Sequence, residues 1–292
     1  MLPFLGKLEL ISYKKFCFAF KAKYMMGGIS LGNYVWALFP SLQAQWNVSA
    51  EPFFRQVRAI SQLSVTAGID QSGNDGMSPH ASRSFFSTTP FINGTAGISL
   101  SHIGNDKLRW ETTTRLHIGA QMRAFEDRWG IGFKVIKGYT DNLLVWKSLN
   151  GISGLNRYLC NEGKLENICY SLHSDIRLLS NRNFSWDIYG AANRYVNRLT
   201  TLPDGNKSFT TDYMEGQLLT AVDNPIAVFY GYPTNGIFAT TEAAQEAALK
   251  MGSERGYQLQ AGDPIYIDTN NDHVIDAKDR QIIGNPNPDL FG

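Results

Sequence analysis

The sequence contains no long apolar run, so no helix in it can supply the roughly 20 apolar residues needed to cross a bilayer. A barrel that crosses with strands escapes this exclusion, because its apolar residues alternate and average away in hydropathy. Charge is scarce: 18% of residues are charged, and the net charge is +1. That balance leaves no basic footprint and argues against nucleic acid as a partner. Cysteine is scarce as well. Cys17, Cys160 and Cys169 form no C-x-x-C pair, so zinc and redox motifs have no support. Cys160 and Cys169 are spaced either for a loop disulfide or as two unpaired thiols. Catalytic signatures are missing. Gly151-Ile152-Ser153-Gly154 lacks the spacing of a nucleophile elbow, and there is no Walker loop, H-E-x-x-H or dinucleotide glycine run. His80, His102, His117, His173 and His273 are isolated and read as polar strand or loop residues, so nothing points to an enzyme.

The chain does carry a period of two. From Trp110 to Phe125 the even positions are Trp, Thr, Leu, Ile, Ala and Met, and the odd ones include Arg109, Glu111, Arg115, His117, Gln121 and Arg123. Alternation this long predicts a strand well beyond the usual five or six residues. Glu126-Asp127-Arg128 predicts a tight turn, after which Trp129, Ile131, Phe133, Val135 and Tyr139 oppose Gly130, Gly132 and Lys134. The pattern returns in 168–178 and 184–196 around a turn at 180–183, and in 16–24, 36–46 and 63–69. This makes seven expected strands.

Turns near 127 and 182 are short, whereas 71–108, 141–167 and 199–225 read as long loops rich in Gly, Ser and Asn. Short turns on one side and long loops on the other are the habit of an outer-membrane barrel. Trp36, Trp46, Trp110, Trp129, Trp146 and Trp186 lie near strand ends, as an interfacial girdle would. The expected fold is therefore all-β: antiparallel transmembrane β-barrel strands forming a partial barrel, with long extracellular loops and short loop helices. The alternative is a soluble β-sandwich or barrel that binds through long loops. Two short helices are expected, Glu51–Ile60 behind Ser49 and Thr241–Met251 ending at Gly252. The start, Met1 to Lys7, is not a convincing signal peptide, so the true N-terminus is expected upstream.

One cluster carries possible metal chemistry. Asp268, Asn270, Asp272, Asp276 and Asp279 occupy positions 1, 3, 5, 9 and 12 of a calcium-type loop, where side chains of a tight turn converge. His273 stands at the sixth position, where the turn favours Gly, and Asp279 is shorter than the usual Glu. The reading is a weak calcium site, or a metal-free loop whose side chains bond the backbone. No cofactor is required.

The same stretch bears a resemblance. Gly262-Asp263-Pro264-Ile265-Tyr266-Ile267-Asp268 through Asp272, Asp279-Arg280 and Ile283-Gly284-Asn285-Pro286-Asn287-Pro288 resemble the closing signature of SusC/RagA-type TonB-dependent receptors. Leu38-Phe39-Pro40-Ser41-Leu42 with Trp46, Glu51-Pro52-Phe53-Phe54, Trp110-Glu111-Thr112 with Ile118-Gly119, Phe229-Tyr230-Gly231-Tyr232 and Gly236-Ile237-Phe238 resemble other segments of that family, in the same order. Asn161-Glu162-Gly163 resembles its N-x-G turn. The resemblance implies that residues 1–292 are part of one receptor β-barrel domain of about 22 strands, without the signal peptide, the plug or the final strands. It further implies a bacterial outer-membrane location, a lipid bilayer around the strands and uptake of glycans or peptides. The implied partners are a SusD-like surface lipoprotein and TonB, the latter reached through N-terminal parts missing here.

Overall fold

A computed structural model describes residues 4–12, 15–26, 36–76, 81–90, 95–150, 154–155, 157–253 and 255–291. The chain forms two units, Met1–Asn206 with Pro288–Gly292, and Lys207–Asn287. The first is dominated by one antiparallel sheet of eight strands. In chain order these are β1 (Phe4–Ser12), β2 (Phe16–Met26), β3 (Trp36–Asn47), β4 (Ile60–Asn74), then, after a separate hairpin of β5 (Phe85–Pro90) and β6 (Ala96–His102), β7 (Glu111–Ala124), β8 (Trp129–Ser148), β9 (Arg157–Asn181) and β10 (Phe184–Thr201). The sheet order is β1-β2-β3-β4-β7-β8-β9-β10, so among the described residues the sheet is open, with β1 and β10 at its edges. Seven of these strands are the expected ones; Phe4–Ser12 is an eighth.

Register explains why the alternation matters. Residues directly opposite in an antiparallel pair point to the same face. One cross-strand row is Phe20, Leu42, Ile69 and Leu116; the next is Phe18, Ala44, Ala67, Ile118, Val135 and Tyr170. Large side chains in these rows are solvent-exposed, Leu116 at 47% and Ile118 at 56%. A sheet of this width with an uncovered apolar face has no counterpart in a water-soluble sandwich, whose inner faces cover each other. On β3 the exposed face runs from Trp36 to Trp46. Ten residues span about 33 Å along a strand, or about 25 Å along the normal at the usual barrel tilt, the height of an outer-membrane apolar band.

Several expectations need correction. Residues 141–167 are not a loop: β8 runs on to Ser148 and β9 begins at Arg157, so the hairpin continues past the apolar band. The polar composition that suggested a loop belongs to strands standing in water, and a bulge marks the change, with register shifts between Thr140 and Val145 and Asn142 at φ +57°. Segments 71–108 and 199–225 likewise carry strand, up to Asn74 and in β5 and β6 for the first, and to Thr201 and in a later hairpin for the second. Residues 51–60 form no α-helix; two 3-10 turns, Val48–Ala50 and Pro52–Gln56, connect β3 to β4, because the connection is too short for a full helix. Trp110 is not in a girdle. It is 5% exposed and packs edge-on against Phe39, ring centroids 5.5 Å apart. Trp46 and Trp36 do lie at opposite ends of β3, stacked on Phe16 and Tyr24. Cys160 and Cys169 are free thiols on the same extended strand, so nine residues hold them about 30 Å apart, far beyond disulfide reach. His80 lies outside the described residues.

The second unit is built from short pieces. Strands β11 (Ser208–Tyr213), β12 (Gly216–Ala221), β13 (Val228–Gly231) and β19 (Gln281–Gly284) form one sheet. Strand β14 (Thr234–Ile237) pairs with β17 (Pro264–Tyr266), and β15 (Lys250–Met251) lies between β16 (Tyr257–Gln258) and β18 (Val274–Ile275). Helix α1 spans Thr241–Ala247. Thr240 caps it by accepting from the Ala243 N–H, and it stops at Ala248, which adopts φ +54°. The helix is shorter than expected because Lys250 and Met251 are used in β15. Phe238, Ala244, Leu249, Leu259 and Ile275 form this unit's core.

The register yields a test. In the intact barrel, Leu116→Arg places a guanidinium among Ile69 and Ile118 on the apolar face, at a cost of about 2–4 kcal/mol near a bilayer midplane. His117→Arg, one residue on, stays on the polar face. Folding yield in outer membranes should fall sharply for the first and little for the second; equal yields would refute the assignment.

Candidate functional site

The opposite face of the same sheet is the candidate site. Its rows read Ser41, Asp70, Arg115, Gly138, Asn167 and Asn197; Gln43, Gly68, His117, Ile136, Cys169 and Tyr195; and Gln45, Thr66, Gly119, Lys134, Ser171 and Asn193. The strand period places them there: each is one residue off the apolar set. Charges on this face are held against one another. Arg115 donates from Nε and Nη2 to Asp70 Oδ2 at 2.9 and 2.6 Å, and His117 Nδ1 stands 3.6 Å from Asp70 Oδ1. Arg123 reaches Asp175 at 3.5 Å, and Ser171 donates to Asn193 at 2.7 Å. The result is a wall of both charge signs, amides and hydroxyls, with no nucleophile–base pair.

Glycines shape this wall. A Cβ at Gly132 would run into the His173 ring, one at Gly130 into the Asp175 carboxylate, and one at Gly138 into the Asn167 amide. The polar side chains of β9 therefore lie flat across β8. Gly68 similarly receives the His117 ring. The sequence signal was glycine on the polar face of a strand, a residue that strand interiors usually avoid.

Beyond the band, Ala81 and Leu108 pack on the β8–β9 extension. Leu108 and Leu159 are buried together with Ala81. Asn161 accepts from the Arg109 N–H at 2.8 Å and donates to the carbonyls of Arg109 and Asn142. Asn105 donates to the Leu159 carbonyl at 2.9 Å. Lys147 pairs with Asp204 and with Glu162, and Arg157 lies over the Trp146 ring at 4.6 Å. The N-x-G turn of the sequence reading is thus a strand segment whose Asn161 ties down the neighbouring loop.

The loop 268–279 sits in the second unit. His273 takes φ +60° and Asn271 φ +58°, so the non-glycine turn at the sixth position does adopt left-handed backbone. Asp268 accepts from the His273 N–H at 2.8 Å, Asn270 from the Asp272 N–H at 3.1 Å, and Asp272 from the Val274 N–H at 2.8 Å. The Val274 N–H and the Asn270 amide hold the Asp272 carboxyl below its usual range. Asp279, 0% exposed, accepts from the N–H groups of Thr269 and Asp276, both at 2.9 Å, while Asp276 accepts from the Lys278 N–H. The backbone closes on these side chains. Among the described residues no three His, Cys, Asp or Glu converge as a metal cluster, although Asp268 Oδ1 is buried and accepts no hydrogen bond. The rest of the signature is equally structural. Gly262 takes φ +91°, Asp263 accepts from the Gln260 N–H, Tyr266 packs edge-on against Tyr232, and Arg280 lies over that same ring.

Comparison with known proteins agrees with this geometry. No protein-family profile matches the sequence. The chain is 28% identical over 98% of its length to TonB-dependent receptor P3 of Formosa agariphila. It is 22% identical over its whole length to TonB-dependent receptor SusC of Bacteroides thetaiotaomicron. It spans 29% of the length of each. Solved structures of the RagAB peptide importer in its closed-closed and open-open states superpose with TM-scores of 0.75 and 0.76 at 19% and 17% identity. They cover 99% of this chain and 31% and 30% of theirs. The resemblance to SusC/RagA-type receptors thus extends over nearly the entire chain, and the open sheet is a partial β-barrel of that type. These relatives are receptors and transporters rather than enzymes.

Replacing Asp279 with Ala leaves the N–H groups of Thr269 and Asp276 without an acceptor, at a cost of about 2–4 kcal/mol. Amide hydrogen exchange at those two positions should accelerate while β13 and β19 change less. Unaltered exchange would show that the carboxylate does not hold the loop.

Proposed function

We propose that this chain is a portion of the barrel wall of a TonB-dependent nutrient importer in a bacterial outer membrane. The observation that carries the reading is the two-faced sheet: mostly apolar side chains on one face and paired charges and amides on the other, along the antiparallel strands from β2 to β10. Apolar rows meet lipid, polar rows line the lumen, and the extended hairpin and loops stand at the outer mouth. The imported class is glycans or peptides. A face with both charge signs, amides and hydroxyls offers hydrogen bonds to either. A SusD-like surface lipoprotein closes the mouth, and TonB supplies energy through N-terminal parts of the whole receptor. The alternative of a soluble binding protein is disfavoured by the exposed apolar rows.

The whole receptor, expressed with its companion lipoprotein in a heterologous outer membrane, should take up one of these classes. Labelled oligosaccharides and oligopeptides are the probes, and an uncoupler should abolish uptake. Recovery of the receptor in the aqueous fraction without detergent, or uptake indifferent to the uncoupler, would overturn the proposal.

The loop of Asp268, Asn270, Asp272, Asp276 and Asp279 is proposed as a structural pin that also takes calcium weakly, in the roughly 0.1–1 mM range of extracellular modules. Asp268 Oδ1 supports this reading, as an acceptor left for a cation. Millimolar calcium should raise the thermal stability of the whole receptor and not that of its Asp272→Ala variant. Equal stabilisation of both would dismiss the metal.

A further inference from the structure

The apolar face is uncharged on four adjacent strands and charged on the next three. On β2, β3, β4 and β7 the lipid-side positions from Phe16 to Tyr24, Trp36 to Trp46, Leu63 to Ile69 and Thr112 to Ala124 hold no ionisable cation or carboxylate. On β8, β9 and β10 the same face carries Lys137, Lys164, Arg194 and Arg198, with Asp141 and Glu166 as its carboxylates, and Lys164 is paired with Asp141 at 3.3 Å. Register fixes their neighbourhood. Lys137 lies opposite Leu116 and Ile168, Ile168 opposite Val196, Tyr170 opposite Arg194, and Glu166 opposite both Tyr139 and Arg198. Lys137, Glu166, Arg194 and Arg198 therefore occupy three successive rows of three adjacent strands, with the Lys164–Asp141 pair one row beyond.

Their height is also fixed. Trp129 begins β8 at the short-turn end, and Lys137 is eight residues further on, about 20 Å up a tilted strand in a band about 25 Å tall. The ammonium of Lys137 stands over the ring of Tyr139 at 4.9 Å, so the side chain reaches towards the long-loop end. Arg194 is exposed. Long cationic side chains beside apolar surface lift their heads to the interface, where lipid phosphates lie. With Lys164 and Asp141 paired to each other, the remaining three cations face the single carboxylate of Glu166, which leaves a positive excess on this surface.

Resting on the membrane reading above, we propose that Lys137, Arg194 and Arg198 form a binding site for a lipid headgroup whose phosphate groups give it a net negative charge, in the leaflet on the long-loop side. Its apolar floor is Ile168, Tyr170 and Val196, against which acyl chains lie. The site holds the lipid by charge-assisted hydrogen bonds from two guanidinium groups and an ammonium.

The test uses the whole receptor in mild detergent and native mass spectrometry, titrated with bisphosphorylated lipid A or with phosphatidylcholine. The wild type should bind lipid A, and the Lys137→Gln/Arg194→Gln variant about thirtyfold more weakly, at roughly fivefold per cation. The charge-keeping pair Lys137→Arg/Arg194→Lys and the opposite-face Lys134→Gln should bind as the wild type does. Phosphatidylcholine should not distinguish any of them. Equal lipid A affinity for the wild type and the Gln pair would overturn the site. Competition by inorganic phosphate at equal phosphate concentration would overturn a lipid as its occupant. Detergent dependence, followed on the same samples, reports separately on the membrane reading: a receptor soluble without detergent refutes that reading, whereas a detergent-dependent one with indifferent variants refutes only the site.

Discussion

Everything in the first unit depends on the unbroken pairing of main-chain N–H and C=O groups between neighbouring strands. In an apolar surrounding no water can satisfy those groups, so each strand needs a neighbour on both sides. That requirement holds the strands in one register from β2 to β10, and register in turn decides which side chains meet lipid. A slip of one residue would exchange Leu116 for Arg115 and Ile118 for His117 across the sheet. Apolar and polar faces are therefore a consequence of hydrogen-bond geometry as much as of composition.

The polar face obeys a second constraint, space. Side chains on the concave side of a barrel crowd, and the glycines of β8 relieve that crowding by letting His173, Asp175 and Asn167 lie flat. Pairing between Asp70, Arg115 and His117 keeps charge from standing isolated near a low-dielectric wall. What remains is a polar surface of paired charges, amides and hydroxyls. The same economy governs the extended hairpin. Past the bulge at Asn142 the hairpin is joined to neighbouring loop residues through the hydrogen bonds of Asn161 and Asn105.

In the second unit the most recognisable part of the sequence has a structural role. The aspartates of residues 263–279 bond to main-chain N–H groups and close tight turns, and Ile275 fills the core between them. A short loop with little apolar area needs such side-chain closure, since hydrophobic burial alone would not offset its conformational entropy. The motif that carries the resemblance is therefore a set of loop-makers, which explains how it can be recognised without identifying any substrate.

The period-two alternation by itself determined seven strands of the main sheet, the turns around 126–128 and 180–183, and the two-faced character of the sheet. Strand geometry leaves side chains no other directions. The Asp and Asn spacing of 268–279 separately marked His273 as a turn position that favours Gly, and the backbone there does take φ +60°. Composition misled where context decides. Residues 141–167 are polar because their strands stand outside the band, and Trp110 looks like a girdle residue until Phe39 is found against it. The separation of Cys160 from Cys169 and the pairing of Arg115 with Asp70 belong to the tertiary structure alone. So does the gathering of Lys137, Arg194 and Arg198 on one patch. Each joins residues, or holds them apart, through the register of neighbouring strands, and only long-range hydrogen bonding sets that register.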